Sequence, residues 1–163
     1  ARGAGNPPGL YISELTTALP WLIHPLDVGP LSRPRWSPDG TRIAVLSLGP
    51  LGQEAAAAIG QTGSPEAVGH YDFRFAKPLD GALIEEICSS YRHIVTVEDG
   101  CLAGGFGSAV LEYLADRGLS TPVTRLGIGD AFASQGTPEE LYREQGLDQT
   151  GISRVLNELL DDL

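Results

Sequence analysis

His93-Ile94-Val95-Thr96-Val97-Glu98-Asp99-Gly100-Cys101-Leu102-Ala103-Gly104-Gly105-Phe106-Gly107 is the stretch that decides the fold. Ile94 to Val97 is a short β-branched run with the composition of a buried parallel strand. It ends on two carboxylates, Glu98 and Asp99, and a glycine-rich turn from Gly100 to Gly107 follows. The amphipathic run from Ser108 to Leu114 then reads as a helix. Together these make a strand–loop–helix unit with acidic groups at the carboxyl end of the strand. Open α/β sheets keep their ligands or partners at that end.

The same alternation extends in both directions. Strands are predicted at Ile43 to Leu48, Ala67 to Tyr71 and Val123 to Ile128. Helices are predicted at Leu51 to Ile59, Asp80 to Tyr91 with Asp80 as N-cap, and Gly105 to Arg117 stopped by Gly118. Pro138 to Gln145 should form a helix capped by Thr137, with Glu140 completing a capping box and Gly146 ending it. A last helix should run from Thr150 or Gly151 to Leu160. The spacing of about 25 residues between strands leaves room for helical crossovers. The expected class is therefore α/β, a three-layer, mainly parallel sheet with helices on both faces.

Residues 1–40 read differently. Pro7, Pro8, Pro20, Pro25, Pro30, Pro34 and Pro38 block regular structure, yet Tyr11, Trp21 and Trp36 are there too. We expect a proline-rich arm over 1–40 that packs its aromatic side chains on the following domain or on a neighbour, and an α/β domain over 41–163. The absence of methionine from all 163 residues suggests a C-terminal piece of a longer protein.

The charge of −10 lacks the basic footprint that nucleic acid requires. No apolar run is long enough to span a bilayer. Cys88 and Cys101, 13 residues apart, match no zinc or redox spacing and read as free thiols of a cytoplasmic protein.

Each candidate site has a plainer alternative. Glu98 and Asp99 are an acid/base candidate, but adjacent residues at a strand end point apart. More simply, Asp99 would brace the glycine turn and Glu98 would pair with a cation at an interface. Gly104, Gly105 and Gly107 at a helix N-terminus are a phosphate-cradle candidate without the GxGxxG order or a Walker lysine. Glycines there also permit tight turning and close helix–sheet contact. Gly105→Val is on that account expected to destabilise the domain. Asp72 and Arg74 read as a structural salt bridge or a backbone brace, with capture of a substrate carboxylate by Arg74 as the alternative. His24, His70 and His93 have no metal-ligand spacing. No residue pattern supports a free-standing enzyme.

Several motifs taken in order carry a resemblance. They are Tyr71-Asp72-Phe73-Arg74-Phe75-Ala76-Lys77-Pro78-Leu79-Asp80, Val95-Thr96-Val97-Glu98-Asp99-Gly100, Gly104 to Leu111, Leu126-Gly127-Ile128-Gly129-Asp130-Ala131-Phe132, and Gly146 to Ile152. From about Asp27 onward the chain resembles the C-terminal domain of the 1-deoxy-D-xylulose 5-phosphate synthases, a transketolase-like family. The resemblance implies an enzyme that joins pyruvate to glyceraldehyde 3-phosphate with loss of carbon dioxide, using thiamine diphosphate and Mg2+. It also implies a cytoplasmic homodimer whose product feeds isoprenoid, thiamine and pyridoxal synthesis. The family's cofactor contacts lie in its preceding catalytic domains, so no catalytic residue carries over, and the isolated chain should bind no cofactor and be inactive. Arg2-Gly3 resembles the Arg-Gly of the family's Tyr-Pro-Arg-Gly motif, whose arginine helps hold the substrate phosphate; here Ala1 stands in place of proline. Gly129 and Gln135 stand where the family usually has Pro and His.

The resemblance makes the domain's expected work structural: packing on the central domain and burying part of a dimer interface. The arm from Leu10 to Trp36 and the edge near Glu98 and Asp99 are the expected contacts. The other reading is a stand-alone module that binds a small anion or regulatory ligand at the Gly100–Gly107 loop.

Overall fold

The computed structural model describes residues 43–163. The proposed arm over 1–40 and Arg2 lie outside these residues. Four strands form one sheet: β1 (Ile43–Leu48), β2 (Val68–Phe73), β3 (His93–Cys101) and β4 (Val123–Ile128). Their order is β2-β1-β3-β4 and every pairing is parallel. Five helices connect or follow them: α1 (Gly52–Gly60), α2 (Gly81–Ser90), α3 (Phe106–Arg117), α4 (Pro138–Gln145) and α5 (Gln149–Asp161).

Residues of β1 alternate between two cores, as the period of a strand requires. Ile43 and Val45 pack with Leu51, Ala55 and Ala58 around α1, and with Leu147, Ile152 and Leu156 at α5. Ala44 and Leu46 face the other way, toward Ile84 and Ile87 of α2 and Phe106, Val110 and Leu114 of α3. All six residues named on these two β1 faces and in α2 are fully excluded from solvent. Helices thus cover both faces of a parallel sheet, as the strand composition predicted.

Chemistry at the helix ends sets their limits. The Asp80 carboxylate accepts from the Leu83 N–H and starts α2. Thr137 and Glu140 form the expected capping box of α4. Gly118 and Gly146 close α3 and α4 in the left-handed conformation, with φ of 65° and 68°. Asp148, not foreseen as a cap, accepts from the Gly151 N–H and starts α5 at Gln149.

The third strand differs from its expected end at Val97. It runs on to Cys101 with an irregular register: Val97 pairs with Leu126, but Cys101 pairs with Ile128. Four steps along β3 therefore match two along β4. Extra residues in one strand bend it and re-aim its side chains, and the residue re-aimed here is Glu98.

Candidate functional site

The chain leaves β1 toward β2 on one side and β3 toward β4 on the other. Between β1 and β3 the strand order reverses. The crevice outside the carboxyl ends at such a point is where open α/β sheets bind ligands. Leu48 and Glu98 face each other there.

Glu98 fills its own side of that crevice. It is 4% exposed. Its Oε2 accepts from the Phe106 N–H at 2.6 Å and its Oε1 from the Gly107 N–H at 2.8 Å. These are first-turn donors of α3, which a helix leaves without intrahelical partners. The helix dipole further favours an anion at this end. The carboxylate takes the place that a bound phosphate would occupy in a glycine-rich cradle.

Glycines make the room. A side chain at Gly105 would collide with the Cys101 carbonyl oxygen and with Glu98 Oε2. A Cβ at Gly107 would lie 2.5 Å from Thr96 Oγ1, and one at Gly127 would lie 3.0 Å from Glu98 Cγ. Gly104, at φ 72°, is the one position in this loop with a left-handed backbone. Ser108 ties the loop off: its hydroxyl donates to the Leu102 carbonyl at 2.7 Å and accepts from the Gly104 N–H at 3.1 Å. Arg125 Nη1 donates to the same carbonyl and to Ser108 Oγ, at 2.7 and 2.9 Å.

The two carboxylates separate, as neighbours on an extended strand do. Asp99 accepts from the Tyr142 hydroxyl of α4 at 2.8 Å. That bond pushes the Tyr142 phenol above its ordinary pKa. The expected division of labour is inverted: Glu98, rather than Asp99, braces the glycine turn. The bulge turns Glu98 inward beneath α3 while Asp99 stays at the surface.

A second polar cluster lies at the ends of β1 and β2 and was not foreseen as a unit. Ser47, fully buried, is 2.8 Å from His70 Nε2 and donates to Asp72 Oδ1 at 3.3 Å. Arg74 Nη2 lies 3.5 Å from Asp72 Oδ2, the salt bridge expected from sequence. Burial pushes the His70 imidazole below its ordinary pKa, and the Asp72 charge opposes that shift. Ser47 pairs with Asp72 across the strands, and His70 lies two residues earlier on the same face. The signal was the shared strand period, readable only once the register is known. This is not a nucleophilic triad: Ser47 has no exposed surface and Asp72 bonds to Ser47 rather than orienting His70.

Among the described residues, no group of three His, Cys, Asp or Glu side chains is placed to hold a metal ion. The donors at the α3 N-terminus are taken by Glu98. Both cysteines are free thiols, Cys88 half-buried and Cys101 exposed. No described helix is long and apolar enough to cross a membrane.

Residues 35–152 match the family model for the transketolase C-terminal domain. The 1-deoxy-D-xylulose-5-phosphate synthase of Bacteroides thetaiotaomicron is 44% identical over 144 residues, covering 85% of this chain and 22% of that protein. The synthase of the same name from Alkalilimnicola ehrlichii is 42% identical over 163 residues, covering 99% of this chain and 23% of its own length. This chain thus spans about a fifth of the curated relatives it matches. Among solved structures, a chain described as "Split gene transketolase, inactive beta4 tetramer" superimposes with a TM-score of 0.67 at 28% identity. That match covers 75% of this chain and 40% of the other.

Proposed function

The chain belongs to the transketolase C-terminal domain family, and on that premise we propose that it is the structural and assembly domain of a thiamine diphosphate-dependent transferase. The full enzyme would condense pyruvate with glyceraldehyde 3-phosphate, releasing carbon dioxide, to give 1-deoxy-D-xylulose 5-phosphate. That product would serve isoprenoid, thiamine and pyridoxal synthesis in the cytoplasm. Thiamine diphosphate, which supplies the carbanion chemistry when bound, and Mg2+ would be held by the preceding catalytic domains of a homodimer. Arg2 would contact the substrate phosphate.

The observation that carries this reading is the closed switch point. Glu98 satisfies the helix donors that a ligand would need, and Ser108 and Arg125 pin the loop around it. A domain built this way presents a hydrogen-bonded, braced surface at the switch point. The high identity to synthases over most of this chain supports the particular reaction. The solved split-gene relative is described as inactive, which supports an isolated chain without turnover. In the alternative reading, an anion at the Gly100–Gly107 loop has to displace Glu98 from both N–H groups.

Calorimetry and turnover assays on the 163-residue chain test the proposal. We expect no heat of binding with thiamine diphosphate or inorganic phosphate, and no synthase activity. Tight binding of either ligand, or turnover dependent on thiamine diphosphate, would defeat it.

A further inference from the structure

Four large apolar side chains are exposed among the described residues. Leu111 and Leu163 are marginal, but Phe75 is 58% exposed and Phe132 is 107% exposed. Each phenylalanine follows closely on a strand, Phe75 after β2 and Phe132 after β4. All strands are parallel, so both aromatics lie at the carboxyl end of the sheet. They stand at opposite edges, with the closed switch point between them.

Single exposed apolar residues are common on monomers, so the weight falls on how these two are held. The Phe132 loop is braced on either side of the ring. The Ala131 N–H donates to the Gly129 carbonyl at 2.8 Å, the Ser134 hydroxyl donates to the Glu144 carboxylate, and Thr137 begins the capping box of α4. Beside Phe75, Arg74 is held by Asp72, and Asp72 by Ser47. Exposed Lys77 makes no ion pair among the described residues. The end of β2 thus presents an aromatic ring between two cations, in a chain of net charge −10. Aromatic residues and arginine are the usual anchors of protein interfaces. Anchors held in place before docking lose less conformational entropy on contact.

The carboxylates at this end play a different part. Glu98 is buried on α3 and Asp99 is engaged by Tyr142. Glu98 is thus spent inside the domain, whereas Asp99 is committed to α4 at the surface through one of its two oxygens.

We propose that the carboxyl-end face of the sheet, anchored by Phe75 and Phe132 with Arg74 and Lys77 beside them, docks against the remainder of the same full-length polypeptide. This rests on the assembly reading above and names the surface that does the work. The matched relatives carry about four fifths of their length outside the part aligned here, and that portion is the occupant to which we commit.

Amide hydrogen exchange tests this on the full-length enzyme and on the 163-residue chain. In the full-length protein, amides of 74–79 and 129–136 should exchange at least tenfold more slowly than in the isolated chain. The double variant Phe75→Asp/Phe132→Asp should abolish that difference while leaving the thermal midpoint of the isolated chain unchanged. Equal exchange in the two parent proteins would overturn the inference. So would concentration-dependent protection of these loops in the isolated chain, which would make a second copy the occupant. A full-length protein that protects the loops but lacks synthase activity would instead refute the proposed reaction and leave the docking surface standing.

Discussion

Gly105→Ala adds one methyl group where backbone and a buried carboxylate both crowd the site. Its Cβ would meet the Cys101 carbonyl oxygen and Glu98 Oε2. The carbonyl belongs to the backbone of β3 and cannot rotate away. Glu98 can move only by loosening its grip on the Phe106 and Gly107 N–H groups. Overpacking at such a point costs about 2 kcal/mol. Weakening one buried hydrogen bond to a charged group adds about 2 kcal/mol. The sum, about 4 kcal/mol, lowers a thermal midpoint by about 12 °C in a domain of this size. With a urea m-value of about 2 kcal/mol/M it lowers the denaturation midpoint by about 2 M. Gly105→Val should cost at least as much. Two controls separate this contact from glycine effects in general. Gly104→Ala meets open space at φ 72° and should cost about 1 kcal/mol for the left-handed backbone alone. Gly60→Ala, at the end of α1 with nothing within 4 Å, should be neutral or stabilising by about 0.5 kcal/mol. Urea denaturation followed by circular dichroism reads all of these. A Gly105→Ala midpoint indistinguishable from the parent's would show that the strand-to-helix junction has slack, and the argument for a sealed switch point would fail with it.

Thr96 Oγ1 is buried without a hydrogen-bond partner among the described residues, so Thr96→Val should raise stability by about 1 kcal/mol; a loss by denaturant titration means that the hydroxyl has a partner. His70 and His93 are both held below the ordinary value of 6.5 by burial. The unfolded chain therefore binds protons that the native state refuses, so stability should be full above pH 6.5 and fall as pH drops through the depressed native values. His70→Gln should flatten the stability–pH curve below 6.5, and an unaltered slope would remove His70 from the account. Tyr142→Phe deletes the bond to Asp99 at the surface and should cost about 0.5–1 kcal/mol by thermal melt; a loss several times larger would mean that Asp99 anchors more than α4.

Most of the fold was legible because the local signals agreed. Ile43 to Leu48 carried the pattern of a strand buried on both faces, and Thr137 with Glu140 fixed the start of α4 at the residue observed. Strand and helix alternation gave the layers. The sequence was least informative where tertiary contact overrides local preference. Asp99 and Gly100 are poor strand formers, yet β3 continues through them because the bulge lets Cys101 rejoin Ile128. The role of Glu98 followed from that bulge and was assigned to its neighbour. Ser47 and His70, 23 residues apart, are joined by register alone, which composition does not encode.

The packing of α5 bears on how such a domain is made. Ile152 and Leu156 share a core with Ile43 and Val45, the first strand of the described fold. Gln149 bonds to Gln61 just beyond α1, and Asn157 accepts from the Gly63 N–H. One face of the sheet, covered by α1 alone, thus stays only partly shielded until α5 has left the ribosome. Synthesis proceeds at about 5–20 residues per second, so β1 and α1 wait several seconds for the segment that shields them. During that interval the nascent chain exposes Val45 and Ala55 to chaperones and to neighbouring chains. A slowed translation rate anywhere between α1 and α5 would lengthen that exposure, whereas the same delay placed before β1 would not.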